Sequence, residues 1–552
     1  MNQLLRVFEP HKVASFALLI GGLVIAISWL RRDRRLDTVP GPKGPYPFIG
    51  LGLFLPLKSP TFFHDWALQY GDIFKVRVFW YDFVFINTPD AVREILEKQA
   101  IATSSKAPAP MSHDIITGGK RMPTMSYGPH WRAQRSLVRV ITTVPMTATF
   151  QPSQEFEAKQ LLFDLATKND NQRDFYQHMR RYAFSIIMTN TFGERVKHWD
   201  HPDMQNAMKT QDLLRSTMRP FSFLVDELPP LQRLPSWLQP GRKRAVEIAE
   251  QVLEVKMRLW RRMEKQFEAG TAPHCYARQI LEKKQSWYAA GLDDEDLAWV
   301  AGGLIEAGFE TTAVALNSLV LYLAANPQVQ ERAQQELKRV VGTARMPTFA
   351  DMHNLPYVRA CVKEVLRINP MLIPGVRHFT DTDIVYKHHT IPKGTVLVTN
   401  TSFLHFDPSR YDKPFEFMPE RFLNHKLYSS EYAAMSDPHA RDHFTFSTAR
   451  RTCPGARLAE NSLDIALAGI LWAFEVLPPQ EHGAESKVVC GDDAFFPGPF
   501  HIPIPFAARF VPRDDARLMV IREQWGIATR DGYDLRGARV DLDGVVKDDA
   551  WA

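Results

Sequence analysis

Apolar and polar positions divide the chain into a membrane-like run, a proline-rich stretch and a long body. Residues Val13–Leu30 read VASFALLIGGLVIAISWL, eighteen positions without a charge. At a helical rise of about 1.5 Å per residue, this run nearly crosses a hydrocarbon core of about 30 Å. A cleaved signal peptide would have a shorter apolar region, roughly 7–15 residues, followed by a small-residue cleavage site. Here Trp29-Leu30 and then Arg31-Arg32-Asp33-Arg34-Arg35 follow. Trp29 suits the headgroup level, and the arginines favour the cytoplasmic side. The pattern predicts a single transmembrane helix, with residues 1–35 as anchor and basic flank and the rest on the cytosolic face. A buried core helix is the alternative. On the cytosolic side the sequon Asn400-Thr401-Ser402 stays unused. Residues 36–50 form a hinge. Its stretch Pro40–Pro47 holds four prolines in eight residues, a semi-rigid extended spacer.

In the body, alternating β-like stretches are short: Ile73–Val78, Phe83–Ile86 and Thr395–Asn400. Helical periodicity dominates, as in Ser153–Thr167, Gly241–Gly270, Asp293–Ala325, Pro327–Val341 and Leu355–Ile368. The fold class is mainly α with a minor β region. The catalytic body runs over 51–513, and 514–552 form a polar C-terminal extension, a surface appendage. Asp293–Ala325 opens on four carboxylates, which complement the helix dipole, and closes at Asn326-Pro327. It is apolar on nearly every side, so it runs through a core. Its centre nevertheless reads Ala307-Gly308-Phe309-Glu310-Thr311-Thr312. Buried polar groups need partners, and the Thr311 hydroxyl can reach the carbonyl of Ala307. Small side chains at 307 and 308 leave room for a ligand.

Composition narrows the class. Of 552 residues, 45% are hydrophobic and 23% charged, which excludes a disordered, collagen-like or multi-pass membrane protein. Four cysteines rule out a disulfide scaffold and fit a reducing compartment. The net charge of +5 does not call for nucleic acid.

Cys453 stands apart from its fellows. It lies in Phe444–Gly455, FTFSTARRTCPG, among Arg450 and Arg451, ahead of an apolar helical run. Pro454 and Gly455 place it at a helix mouth, where the dipole and free N–H groups favour a thiolate. Cys361 and Cys275 read as inert core. The pattern Phe446-x-x-Ala449-x-Arg451-x-Cys453-x-Gly455 resembles the haem-binding signature of the cytochrome P450 family of haem-thiolate monooxygenases. Four more segments are similar to that family's motifs, each in its expected place: Trp131-x-x-x-Arg135, Ala307-Gly308-x-Glu310-Thr311-Thr312, Glu364-x-x-Arg367 and Phe417-x-Pro419-Glu420-Arg421-Phe422. The resemblance covers about residues 36–513 and implies the P450 fold. One position departs from it: the family usually has glycine where this chain has Ala449. If that residue needs φ > 0, alanine costs about 1 kcal/mol or more.

The resemblance implies haem b with Cys453 as the axial iron ligand, whose electron donation favours O–O cleavage. Backbone N–H groups after Gly455 temper that donation. Arg451, Arg135 and the Trp131 indole are candidates for the two haem propionates. His378 is a fourth, with Arg377 its rival. Thr311 and Glu310 resemble a proton-delivery pair for O₂. Glu364, Arg367 and Arg421 resemble a buried structural ion network. The substrate pocket would be lined by the 105–125 loop, Leu304, Ala307, Met371, Leu372, Ile373, Phe495 and Phe496. Their apolar character implies a lipophilic substrate. The partners implied are O₂, an NADPH-dependent P450 reductase and a membrane, that of the endoplasmic reticulum. The general shape resembles fungal enzymes of specialised metabolism. Three other readings stay open: a haem-thiolate isomerase or dehydratase that needs no reductase, a non-catalytic haem carrier or sensor, and a cysteine hydrolase. The Glu310-Thr311 pair speaks against the first.

Overall fold

The computed structural model describes residues 22, 33–43, 51 and 61–547, apart from 79, 170, 220, 374, 482–483, 487, 536–537 and 543–545. Apart from Gly22, the expected anchor Val13–Leu30 lies outside the described residues, as does the hinge beyond residue 43. The start of the hinge is docked on the body. Leu36 and Val39 are buried, and the Lys75 N–H donates to the Pro40 carbonyl at 2.8 Å.

Ten helices carry the architecture around the site. They are α1 (Pro129–Thr142), α2 (Gln151–Thr167), α3 (Phe175–Phe192), α4 (Pro202–Thr217), α5 (Arg242–Glu268), α6 (Asp294–Ala325), α7 (Pro327–Val340), α8 (Pro356–Ile368), α9 (Ala456–Ala473) and α10 (Asp515–Asp531). The strands β1 (Ile73–Val78), β2 (Tyr81–Ile86), β3 (Arg377–Phe379) and β4 (Val396–Thr399) make one sheet in the order β1-β2-β4-β3. β1 and β2 form an antiparallel hairpin with Phe74 opposite Phe85. β4 runs parallel to β2 and antiparallel to β3, where His378 faces Leu397. The helices and strands expected from periodicity end within about two residues of these bounds.

Helix α6 is the spine. Asp293 caps it through a reciprocal pair with Asp296, whose backbone N–H it accepts at 2.8 Å. Among the described residues it is the helix long and apolar enough to cross a membrane, and it is buried in the core. It packs most extensively on α3. A Cβ at Gly308 would come within 3.0 Å of the Ile187 side chain. The missing side chain at 308 thus admits a neighbouring helix, not a ligand, which corrects half of the expectation for 307 and 308.

The C-terminal extension is a folded part of the body. Asp514 caps α10. Trp525 packs between Phe156 and Phe163 of α2, with centroids at 5.5 and 6.0 Å. The strand Tyr533–Leu535 follows, and Tyr533 meets Phe156 at 4.8 Å. Ile521, Ala528 and Val540 are buried. The Asp and Arg residues that make the segment look polar in sequence decorate an element whose inner face is apolar. The sequon residue Asn400 is fully buried and bonds Asn87, so no glycan reaches it.

Candidate active site

The Cys453 loop runs from Phe444 into α9. The Cys453 N–H donates to the Phe446 carbonyl at 2.8 Å, closing the loop. Ser447 and Ala449 both sit in the left-handed region, at φ 61° and 53°. Position 449 therefore needs the conformation that glycine adopts freely, and an alanine holds it. Gly455, at φ −88°, is the helix cap and α9 starts at Ala456, so Pro454 lies before the first helical position expected for it. A Cβ at Gly455 would meet nothing within 4 Å. Open space and an ordinary φ together mean that this glycine makes room instead of making a turn. Burial pushes the Cys453 thiol up, while the Gly455 N–H and Arg135 pull it down. The helix mouth alone thus does not give a thiolate. A bound metal would, because coordination deprotonates a thiol outright.

Above this loop, cations converge. The Arg451 guanidinium lies 4.5 Å from the Trp131 ring centroid, and that of Arg135 lies at 5.9 Å. Arg451 donates to the carbonyls of Ser104 and Met125, and Arg135 to that of Thr452. Burial, then Arg135, lowers Arg451 to about 10. Burial also lowers Arg135. Lys106, which carries no sequence motif, is pushed well down by burial and by Arg451. Among the described residues, none of these three cations has a carboxylate within ion-pair distance. The Trp131 indole N–H and His378 Nε2 are buried without a partner. Such a cluster is stable only against anions, and the two propionates of haem fit it. His378 Nδ1 faces the Thr103 carbonyl at 2.9 Å. Side chains alternate along a strand, so Arg377 points to the opposite face, where it stacks on Phe83. The geometry favours His378 over its rival.

On α6, Leu304, Ala307 and Thr311 share one face at i, i+3 and i+7. Ala307 and Thr311 are solvent-accessible in the middle of an otherwise buried helix. Thr311 Oγ1 donates to the Ala307 carbonyl at 2.7 Å, as expected. Glu310 is buried and turned aside. Its Oε1 accepts from Arg180 of α3 at 3.4 Å and Arg215 of α4 at 3.2 Å. One turn earlier, Glu306 is held by Arg121 and by Lys256 of α5, the latter at 3.3 Å. Those partners are contributed by distant segments, and nothing in the local sequence marks them.

The ion network forms as expected. Arg367 donates to Glu364 through Nε at 2.7 Å and Nη2 at 2.8 Å, and Arg421 Nε reaches Glu364 at 3.2 Å. His405, unremarked in the sequence, extends it. Its Nδ1 faces the Arg367 carbonyl at 2.8 Å, and its Nε2 accepts the Phe444 N–H at 2.7 Å. The network is thus hydrogen-bonded to the start of the cysteine loop.

The expected pocket segments meet in part. The Ile373 N–H donates to the Pro499 carbonyl at 3.0 Å, and the His501 N–H to that of Met371 at 2.8 Å. Leu372 bridges Phe500. Phe495 is buried and stacks on His501 at 3.9 Å. Phe496 is half exposed. Gly375, at φ 135°, lets this segment turn: a Cβ there would lie 2.2 Å from the Thr399 carbonyl oxygen.

Comparison with known proteins agrees with this geometry. The family model for cytochrome P450 matches residues 39–489. The chain is 62% identical over 540 residues to cytochrome P450 monooxygenase pgmC of Aspergillus terreus, covering 98% of each. It is 35% identical over 534 residues to cytochrome P450 monooxygenase verL of Clonostachys rogersoniana, covering 95% of this chain and 96% of that one. To cytochrome P450 monooxygenase virE of Hypocrea virens it is 31% identical over 509 residues, covering 92% and 91%. With these matches and the cysteine loop in place, the chain belongs to the cytochrome P450 family and is a fungal monooxygenase of that family.

Proposed function

We propose that the enzyme inserts one atom of O₂ into a lipophilic small molecule, with electrons from an NADPH-dependent reductase, in specialised metabolism. The observation that carries this reading is the accessible Ala307–Thr311 face on a buried helix, together with the unpartnered donors around Cys453. Cys453 would ligate the iron, and Arg135, Arg451, Lys106, Trp131 and His378 would hold the propionates. Bound haem supplies the iron that binds and activates O₂, with thiolate donation favouring O–O cleavage.

The chain's own residues do the positioning and the proton work. The Thr311 hydroxyl has one donor hydrogen, now given to Ala307, and two acceptor lone pairs. It presents an acceptor to the open face and donates there only by rotating. Arg180 and Arg215 both hold Glu310 through Oε1, so its other carboxylate oxygen would pass a proton towards Thr311. For localisation we hold to single-pass anchoring in the endoplasmic reticulum membrane by Val13–Leu30; deleting residues 1–35 should then release the protein to the soluble fraction.

The test of function is the reduced, CO-bound spectrum and the ratio of peroxide to product per NADPH. Wild type should show the red-shifted Soret band of thiolate haem, and Cys453→Ser should lose it. Thr311→Ala should keep the band and raise the peroxide share. An unchanged ratio would make Thr311 structural and favour the isomerase-like chemistry.

A further inference from the structure

Four segments meet beside the cysteine loop in a second buried polar hub, separate from the Glu364 network. Lys363 comes from α8 and Ser429 from the turn Ser429–Tyr432. Asp442 and His443 come from the stretch that enters the loop, and Glu460 from α9, which leaves it. All five side chains are buried. The Lys363 ammonium donates to Asp442 Oδ2 at 2.6 Å and lies 3.4 Å from Glu460 Oε1. Asp442 Oδ1 accepts the His443 N–H at 2.8 Å. Glu460 accepts the Ser429 N–H, at 3.2 Å to Oε1 and 3.1 Å to Oε2. Burial lowers His443 to about 4, so its ring is neutral.

The Ser429 hydroxyl lies between the two carboxyls, 2.6 Å from Asp442 Oδ2 and 2.8 Å from Glu460 Oε1. A hydroxyl has one hydrogen to give. It can serve one of these contacts, and the other needs a hydrogen from the carboxyl itself. Lys363 decides which acid keeps its proton, because its contact with Asp442 is short and that with Glu460 is loose. Asp442 takes three donors, Lys363, the His443 N–H and the Ser429 hydroxyl, which favours its ionised form. Glu460 is left as the carboxylic acid, donating to Ser429 Oγ. His443 Nε2 at 3.2 Å and Lys363 at 3.4 Å also approach that oxygen, but neither brings a hydrogen to the Glu460 contact. Burial pushes the Glu460 carboxyl up, opposed by Lys363 and joined by the charge of Asp442. Asp464, one turn along α9 and 3.6 Å from Arg359, adds another acid to that field. In the hub, one ammonium then balances one carboxylate.

Its place in the chain gives this proton a use. Asp442 stands two residues before Phe444, where the loop begins, and Glu460 stands near the start of α9, beyond Cys453. The bonds from Glu460 to Ser429 and from Ser429 to Asp442 therefore fasten the exit of the loop to its entry. We propose that Glu460 is a positioning residue acting as a neutral acid, whose proton closes this clasp around the loop of Cys453 and keeps the hub free of net charge. This rests on the haem-thiolate reading above and extends it from the ligand to the groups that hold the ligand's loop.

The test uses the holoenzyme at neutral pH, read by infrared spectroscopy, by the haem reduction potential and by haem transfer to apomyoglobin. Wild type should show the carbonyl band of a protonated carboxyl that Glu460→Gln removes. Glu460→Gln keeps a donor for Ser429 and changes no charge, so its potential should match wild type and its haem should leave within about twofold of the wild-type rate. Glu460→Ala and Ser429→Ala break the clasp and should each release haem about fivefold faster or more. The proposal is overturned if Glu460→Gln removes no such band, or if it raises the potential, since loss of a negative charge would mean that Glu460 is ionised in wild type. It is also overturned if both alanine variants hold haem as wild type does. Should Glu460→Ala fail to fold, the band and potential of Glu460→Gln still decide the proton, and Ser429→Ala decides the clasp. If the reduced, CO-bound wild type lacks the thiolate band, the haem-thiolate reading itself fails, an outcome that the infrared band distinguishes from the others.

Discussion

Ala449→Gly should tighten the cysteine loop. Ala449 is held at φ 53°, which costs an alanine about 1–2 kcal/mol and a glycine almost nothing. Glycine gives some of that back, because it frees the unfolded chain by about 0.5–1 kcal/mol. The net gain is about 0.5–1 kcal/mol. It acts locally, since residue 449 opens the short turn Ala449–Arg451 that leads to Cys453. The hydrogen bond from the Cys453 N–H to Phe446 must break for the loop to open. A gain of that size slows opening about two- to fivefold. Hydrogen exchange of a peptide spanning residues 446–453 measures it directly, and transfer of haem to apomyoglobin gives a second reading. Ala449→Val is the control, because a β-branched residue is a true outlier at positive φ; it should exchange and lose haem several-fold faster. Faster exchange in Ala449→Gly than in wild type would refute the reasoning, since it would mean that no strain is stored there.

Three further outcomes are expected. Glu364→Gln strands the buried guanidiniums of Arg367 and Arg421 and should cost about 3–5 kcal/mol, seen as a lower denaturant midpoint and low haem occupancy; near-normal stability would contradict it. Trp525→Ala opens a gap between Phe156 and Phe163 and, at a half-buried site, should cost about 2–3 kcal/mol, checked by chemical denaturation. The fold should weaken as pH falls below about 6.5, because burial holds His405 well below that value and His443 at about 4. The unfolded imidazoles bind protons that the folded ones do not, so stability is present above about pH 6.5 and is lost progressively towards pH 4. A denaturant midpoint that does not move over that range would contradict it.

Legibility in the sequence followed the range of the interaction. Helix α6 announced itself by its apolar circumference and its acidic start, and Glu364 and Arg367 by an i, i+3 spacing. The cysteine loop was readable because its residues are consecutive. The departure at 449 was visible too, but its φ was not. Glu310 looked free to serve Thr311 because its partners Arg180 and Arg215 lie 130 and 95 residues away. Lys106 has no signature of its own; only the field of Arg451 beside it gives it meaning. Helix α3 is buried on almost every side, so it has no polar face to set up a period. The extension after residue 513 misled because its charges outnumber the few aromatic and aliphatic residues that dock it.

That docking has a consequence for synthesis. Arg195 is buried beside Glu157, and its guanidinium also donates to the carbonyl of Leu542, 347 residues downstream. At ribosomal speeds of about 5–20 residues per second, roughly 20–70 seconds separate the appearance of the two. Throughout that interval α2 has emerged without the helix that covers Phe156 and Phe163. The nascent chain therefore waits with an uncovered aromatic strip and an incompletely solvated arginine, the kind of surface that chaperones hold. Residues translated hundreds of positions later close over helices made early, and a ribosome that stops short of them releases a body whose interior is still open.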